Sequence, residues 1–78
     1  MEFYVETLKG MNIGRFDMPG DTFLLDVKRQ IARETGIPVE GQRLIYFQKE
    51  LQNQRTLDDY GLGFIDKVAL ILLSTYVP

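Results

Sequence analysis

The chain reads as an α+β roll: one main helix packed across a mixed sheet of four to five strands. Three observations carry that reading. Residues 1 to 7 alternate, with Met1, Phe3 and Val5 on one side and Glu2, Tyr4 and Glu6 on the other, the period of a half-buried strand. Between Asp21 and Pro38 lies a helical pattern with punctuation at both ends. The remaining apolar runs are short and bounded by turn residues, giving the order β-β-α-β-β-β with no linker or repeat.

After the first strand, Leu8 to Asn12 contains Gly10 and reads as a turn. Ile13, Phe16 and Met18 are then the inward residues of a returning strand, at irregular spacing. Regular alternation would turn Arg15 and Asp17 into the core unpaired, at a cost of several kcal/mol per charge. An irregular pairing at Gly14 and Arg15 costs less, keeps Phe16 and Met18 buried, and leaves Arg15 and Asp17 exposed. The helix is expected within residues 23 to 35. Asp21 or Thr22 can cap its start, Leu24, Val27 and Ile31 form its inner stripe, Gly36 can take the left-handed position at its end, and Pro38 stops it.

Residues 42 to 47 form a third strand, and QKEL turns into a very short fourth one near Leu51. Thr56 followed by Asp59 is a capping-box start to a single helical turn, in which the adjacent Asp58 and Asp59 point apart rather than forming an acid/base pair. Tyr60 is expected as a buried ring with its hydroxyl on neighbouring loop backbone. Gly61 and Gly63 are turn glycines without the strand-to-helix context of a phosphate loop. Lys67 to Leu73 make the last strand, Val68, Leu70 and Leu72 facing one way. Within this frame LIYF, residues 44 to 47, is a puzzle. A strand with one wet face should alternate, so either both faces are buried or one apolar face is reserved for a partner.

Composition narrows the function classes. The 78 residues include no Cys and no His, which removes disulfides, thiol nucleophiles, imidazole bases and ordinary structural zinc sites. Neither catalysis nor a cofactor is expected. A net charge of −2 lacks the basic footprint of a nucleic-acid partner. The longest apolar run, Val68 to Leu73, is too short to cross a bilayer, and the opening segment does not look like a secretory signal. The expectation is a cytoplasmic or nuclear monomer.

The residues resemble ubiquitin and its relatives. MEFYVETLKG is similar to the family's first strand and turn, TGIP to the end of its helix, and QRLIY, K-E-L and RTLDDYGL to its third strand, following loop and short helical segment. One extra residue lies between the first turn and the helix; an alternative placement puts it at Phe23 or Leu24 and leaves Arg15 and Asp17 inward. The resemblance implies the β-grasp fold, with Leu44 in the core and Ile45 at the centre of a recognition patch. Carried over by position, the patch is Leu8, Ile45, Ala69 and Ile71, rimmed by Arg43, Gln48 and Lys49. Ala69 stands where the family has a histidine, and Gln48 where it has a glycine. Lys28 matches a family lysine that forms a partly buried ion pair, whereas Glu6, Met11, Gln30, Glu34 and Phe64 occupy positions of other linkage lysines.

Conjugated members of the family end in an exposed Gly-Gly tail, and this chain ends LLSTYVP. The expectation is therefore a non-conjugated ubiquitin-like domain, spanning residues 1–78 and standing at the N-terminus of a longer protein, rather than a free modifier. Its partners would be ubiquitin-binding proteins: ubiquitin-interacting helices, proteasomal receptors, deubiquitinases and segregase subunits. A Ras-association or scaffold-type β-grasp domain is a remote third reading, because only Arg15 supplies a basic residue along the second strand. Phe23, Leu25, Phe64 and Ile65 add apolar surface that serves either extra core packing or a second contact face.

Overall fold

The computed structural model describes residues 1–62 and 68–74. The alternating start of the chain becomes β1 (Glu2–Thr7), and a turn through Gly10 returns the chain as β2 (Asn12–Asp17). Gly10 takes φ +83°, a region open to glycine at little steric cost, and its N–H donates to the Thr7 carbonyl at 2.9 Å. The helix α1 (Leu24–Thr35) crosses next, followed by a 3-10 turn at Val39–Gly41, β3 (Gln42–Tyr46), β4 (Lys49–Glu50), a second 3-10 turn at Asp58–Tyr60, and β5 (Val68–Ser74). The sheet order is β2-β1-β5-β3-β4, with β1 and β5 parallel and the other neighbours antiparallel. This is the β-grasp roll that the resemblance implies.

The core is built from the inner faces of the four longer strands and the helix. Phe3 and Val5 of β1, Phe16 of β2, Leu44 of β3, and Val68, Leu70 and Leu72 of β5 meet Leu24, Val27 and Ile31 of the helix. Leu51, Leu57 and Leu62 belong to the same buried cluster, and the rings of Phe3 and Phe16 stack with centroids 5.6 Å apart. The helix ends as its punctuation predicts. Gly36 sits at φ +79° and its N–H donates to the Ala32 carbonyl at 2.8 Å.

The irregularity in the first hairpin lies closer to the turn than Gly14–Arg15. Val5 faces Gly14 and Glu6 faces Asn12, so Ile13 is the extra residue. Placed beside the turn, the bulge interrupts the ladder where least of it remains, and Arg15 keeps regular register opposite Tyr4. The consequence inferred from charge burial holds: Phe16 is buried, Arg15 and Asp17 are exposed, and the Arg15 guanidinium reaches Glu2 at 3.5 Å. Ile13 packs half-buried against the core. Met18 is half-buried rather than buried, because β2 has ended; its N–H donates to the Met1 carbonyl at 2.9 Å.

The start of α1 departs from expectation. Neither Asp21 nor Thr22 caps it; the N-cap residue is Phe23, with no side-chain hydrogen bond. Backbone carbonyls from the segment before the second 3-10 turn take that role, Leu24 N–H donating to Arg55 at 2.9 Å and Leu25 N–H to Asn53 at 3.3 Å. Orphan donors at a helix start need an acceptor, and a neighbouring loop supplies one as well as a hydroxyl does. Thr22 is drawn into the same contact, its carbonyl accepting from Leu57 N–H at 3.1 Å. Thr56 and Asp59 do form the reciprocal capping box, at 2.9 and 3.1 Å, and the Tyr60 hydroxyl of a half-buried ring accepts from Gln52 N–H at 2.7 Å.

Two buried polar side chains sit between helix and sheet. Gln42 donates through Nε2 to the carbonyls of Lys28 and Ile37, both at 2.9 Å, tying β3 to the helix and to the loop that follows it. Lys28 itself is only 6% exposed. Among the described residues no carboxylate stands within ion-pair distance of it, so the pair implied by the resemblance is not formed there. Burial lowers the Lys28 pKa below its ordinary value, and the more distant Glu50 charge partly opposes that. The cationic form is thus disfavoured on folding, so this residue's contribution to stability improves as pH rises through the lowered pKa and is lost as pH falls through it. Lys28→Met is expected to raise stability by about 1 kcal/mol at neutral pH, with the gain shrinking toward pH 10. Denaturant unfolding of both proteins across that range measures it.

Candidate functional site

The period of a strand sends alternate residues of β5 to opposite sides of the sheet. With Val68, Leu70 and Leu72 buried, Ala69, Ile71 and Leu73 must lie on the outer face. Register then brings Ile45 of β3 opposite Ile71 and Arg43 opposite Leu73. The run LIYF resolves by the same logic. Leu44 is in the core, Ile45 is half-buried on the outer face, Tyr46 packs partly against the core, and Phe47 leaves the strand.

Phe47 and Gln48 form the two-residue loop between β3 and β4, with φ +49° and +68° and with Tyr46 opposite Lys49. Positive φ at both loop positions is the geometry that hairpins favour for its twist, ordinarily with Asn or Gly in place. Here two side-chain-bearing residues adopt it, and the turn lifts Phe47 clear of the sheet at 84% exposure. Its ring meets that of Tyr46 edge-on at 4.6 Å. Leu8, in the turn after β1, is 76% exposed.

These residues surround one shallow hollow of about 540 Å³, lined by Leu8, Ile45, Tyr46, Phe47, Gln48, Ala69, Ile71 and Leu73. All four positions assigned to the patch from the sequence, Leu8, Ile45, Ala69 and Ile71, stand on it. Of the three rim residues Gln48 lines it, whereas Arg43 and Lys49 do not. Arg43 is held by Glu50, its Nη2 donating at 2.8 Å and its Nε at 3.3 Å to the same carboxylate oxygen. That hydrogen bond holds the Glu50 carboxyl below the usual carboxylate range and raises the Arg43 pKa. The Lys49 ammonium lies 5.6 Å from the centroid of the Tyr60 ring.

Tyr46, Phe47 and Leu73 were not assigned to the patch from the sequence. Leu73 was legible from the alternation that marks Ala69 and Ile71. Phe47 was legible only by recognising that a two-residue loop must point a bulky side chain outward. A second, smaller depression is bordered by Phe23, Leu25, Asp26, Arg29, Asn53 and Gln54. Phe23 is half exposed and Leu25 half-buried there, whereas Phe64 and Ile65 lie outside the described residues, as do Gly63, Lys67 and the tail from Thr75 to Pro78.

Comparison with known proteins agrees with this geometry. Residues 3–74 match the sequence pattern of the ubiquitin family. The chain belongs to the ubiquitin family. It is 34% identical over 73 residues to the E3 ubiquitin-protein ligase UHRF1 of Xenopus tropicalis, a match covering 92% of this chain and 9% of the ligase. It is 31% identical over 78 residues to Ubiquitin-like protein 4A of Xenopus laevis, covering 100% of this chain and 52% of that protein, and 28% identical over 72 residues to the human protein of that name. The ubiquitin-like chain thus spans about a tenth of the first relatives and about half of the others.

The hairpin loop gives a direct test of the local geometry. A left-handed conformation costs a side-chain-bearing residue roughly 1–2 kcal/mol, and glycine escapes that while losing more entropy on folding. Gln48→Gly is therefore expected to raise stability by about 0.5–1 kcal/mol, seen as a higher Tm. An unchanged or lower Tm would show that the loop is not held at positive φ in solution.

Proposed function

We propose that this domain is a noncovalent interaction module that imitates ubiquitin and docks the protein carrying it on ubiquitin-recognising partners. One observation carries the reading: Leu8, Ile45, Ala69 and Ile71, from three separate segments, converge on one apolar hollow on the outer face of the sheet. Contiguous apolar surface on a small domain marks an interaction site, and scattered exposed residues do not. Proteasomal receptors, ubiquitin-interacting helices and deubiquitinases are the partner classes that fit a ubiquitin-family face. The domain acts through binding, with no catalytic residues of its own, within a longer cytoplasmic or nuclear protein.

The shape of the face favours a helix as the docked element. Ile45 and Ile71 lie on β3 and β5, internal strands already paired on both sides, so no strand can be added there. An element laid on that surface must satisfy its own backbone groups and present side chains alone, which an amphipathic helix does.

Titration with a ubiquitin-interacting helical peptide is expected to perturb amide signals around Leu8, Ile45, Ala69 and Ile71 before others. Ile45→Ala should weaken binding by about 1–3 kcal/mol, the range for truncating a central anchor, while changing folding stability by less than about 1 kcal/mol. A large loss of stability with binding unaltered would instead make Ile45 a structural residue.

A further inference from the structure

The charges around the apolar face are unevenly matched. Glu2 is paired with Arg15 at 3.5 Å and Glu50 with Arg43 at 2.8 Å, so two border pairs are neutralised within the domain. Glu6 has no ion-pair partner among the described residues. It is half-buried, and its backbone stands opposite Ile71 in the β1–β5 ladder. Phe3 and Val5 face the core, so alternation puts the Glu6 carboxylate on the outer face, beside the strip formed by Ile71 and Ile45. On the β3–β4 side Lys49 has its ammonium over the Tyr60 ring rather than on the hollow, and Lys9, exposed in the turn beside Leu8, is not among the residues that line it. The face therefore presents an apolar strip with an unneutralised carboxylate along its β1 side.

A partner that covers this strip must also cover or answer that carboxylate. A carboxylate in a partner at this place would meet like charge at the edge of a desolvated patch, whereas a cation would complete a pair. We propose that Glu6 makes this face select an amphipathic partner helix bearing Lys or Arg beside its apolar stripe, over one flanked by acidic residues. The proposal rests on the reading of the patch as a docking surface.

Two synthetic helical peptides with the same apolar stripe, one flanked on both sides by lysine and the other by glutamate, test it by calorimetric titration. Wild type is expected to bind the lysine-flanked peptide about fivefold more tightly. Glu6→Gln should largely abolish that preference and Glu6→Lys should reverse it. Glu34→Gln, an equal change in net charge on the exposed side of α1, should leave it in place; equal loss of preference in that variant would assign the effect to net charge and overturn the proposal. Binding of both peptides must fall with Ile45→Ala. If it does while the Glu6 variants leave the ratio unchanged, the docking surface stands and the charge selection is wrong. If the lysine-flanked peptide binds regardless of Ile45→Ala, the patch reading fails and takes the proposal with it. Sedimentation of the chain alone covers the remaining occupant: a dimer dispersed by Ile45→Ala would replace the partner helix with a second copy.

Discussion

The parallel pairing of β1 with β5 is the constraint on which both the core and the apolar outer face depend. Its register sets Phe3 against Val68 and Val5 against Leu70 on the inner side, and with the same step sets Tyr4 against Ala69 and Glu6 against Ile71 on the outer side. Because side chains alternate with period two, a slip of one residue would carry the outer set into the core and the core set into water. The apolar patch is thus the complement of the core, written in the intervening positions of the same strands. With Phe3, Val5 and Leu70 fully buried on the inner side, alternation leaves Ile45 and Ile71 on the other face.

That dependence explains why most of the fold could be read from the sequence. Alternation at Phe3, Val5, Val68, Leu70 and Leu72, the stripe of Leu24, Val27 and Ile31, and the glycine after the helix are local signals with one structural reading each. Where the reading missed, the cause was tertiary. The helix start has no capping side chain because Arg55 and Asn53, some thirty residues away, bring carbonyls to it. The bulge itself follows from charge, since burying Arg15 and Asp17 would cost more than a bulge. Its position depends on hairpin register, and charge burial alone cannot distinguish Ile13 from Gly14.

The site was legible to a similar depth. Ala69, Ile71 and Ile45 take the outer face by alternation once the inner face is known, whereas Leu8, in the turn after β1, joins them only through the family resemblance. Phe47 required knowledge of the loop conformation, and the direction of Lys49 required the position of Tyr60, which no local pattern encodes. Arg43 is exposed as the rim assignment needs, yet it is engaged by Glu50, so a partner carboxylate there must displace an existing hydrogen bond. Exposure alone does not make a charge available.

The same residues show where the domain departs from a purely stability-driven design. Phe47 and Gln48 hold a left-handed loop that glycine would relieve, and the result is an aromatic ring raised beside the hollow at the tip of the shortest hairpin. Strain that persists in a loop is tolerated only where surrounding structure over-determines it, and here β3, locked to β5 along Gln42 to Ile45, supplies that rigidity. Of the two edge strands, β4 is only two residues long and offers little unpaired backbone to other chains, whereas β2 runs over Asn12–Asp17. On the outer sheet face, Ile45, Ala69 and Ile71 meet Leu8 around one hollow, and their order is set by the strand register that builds the core.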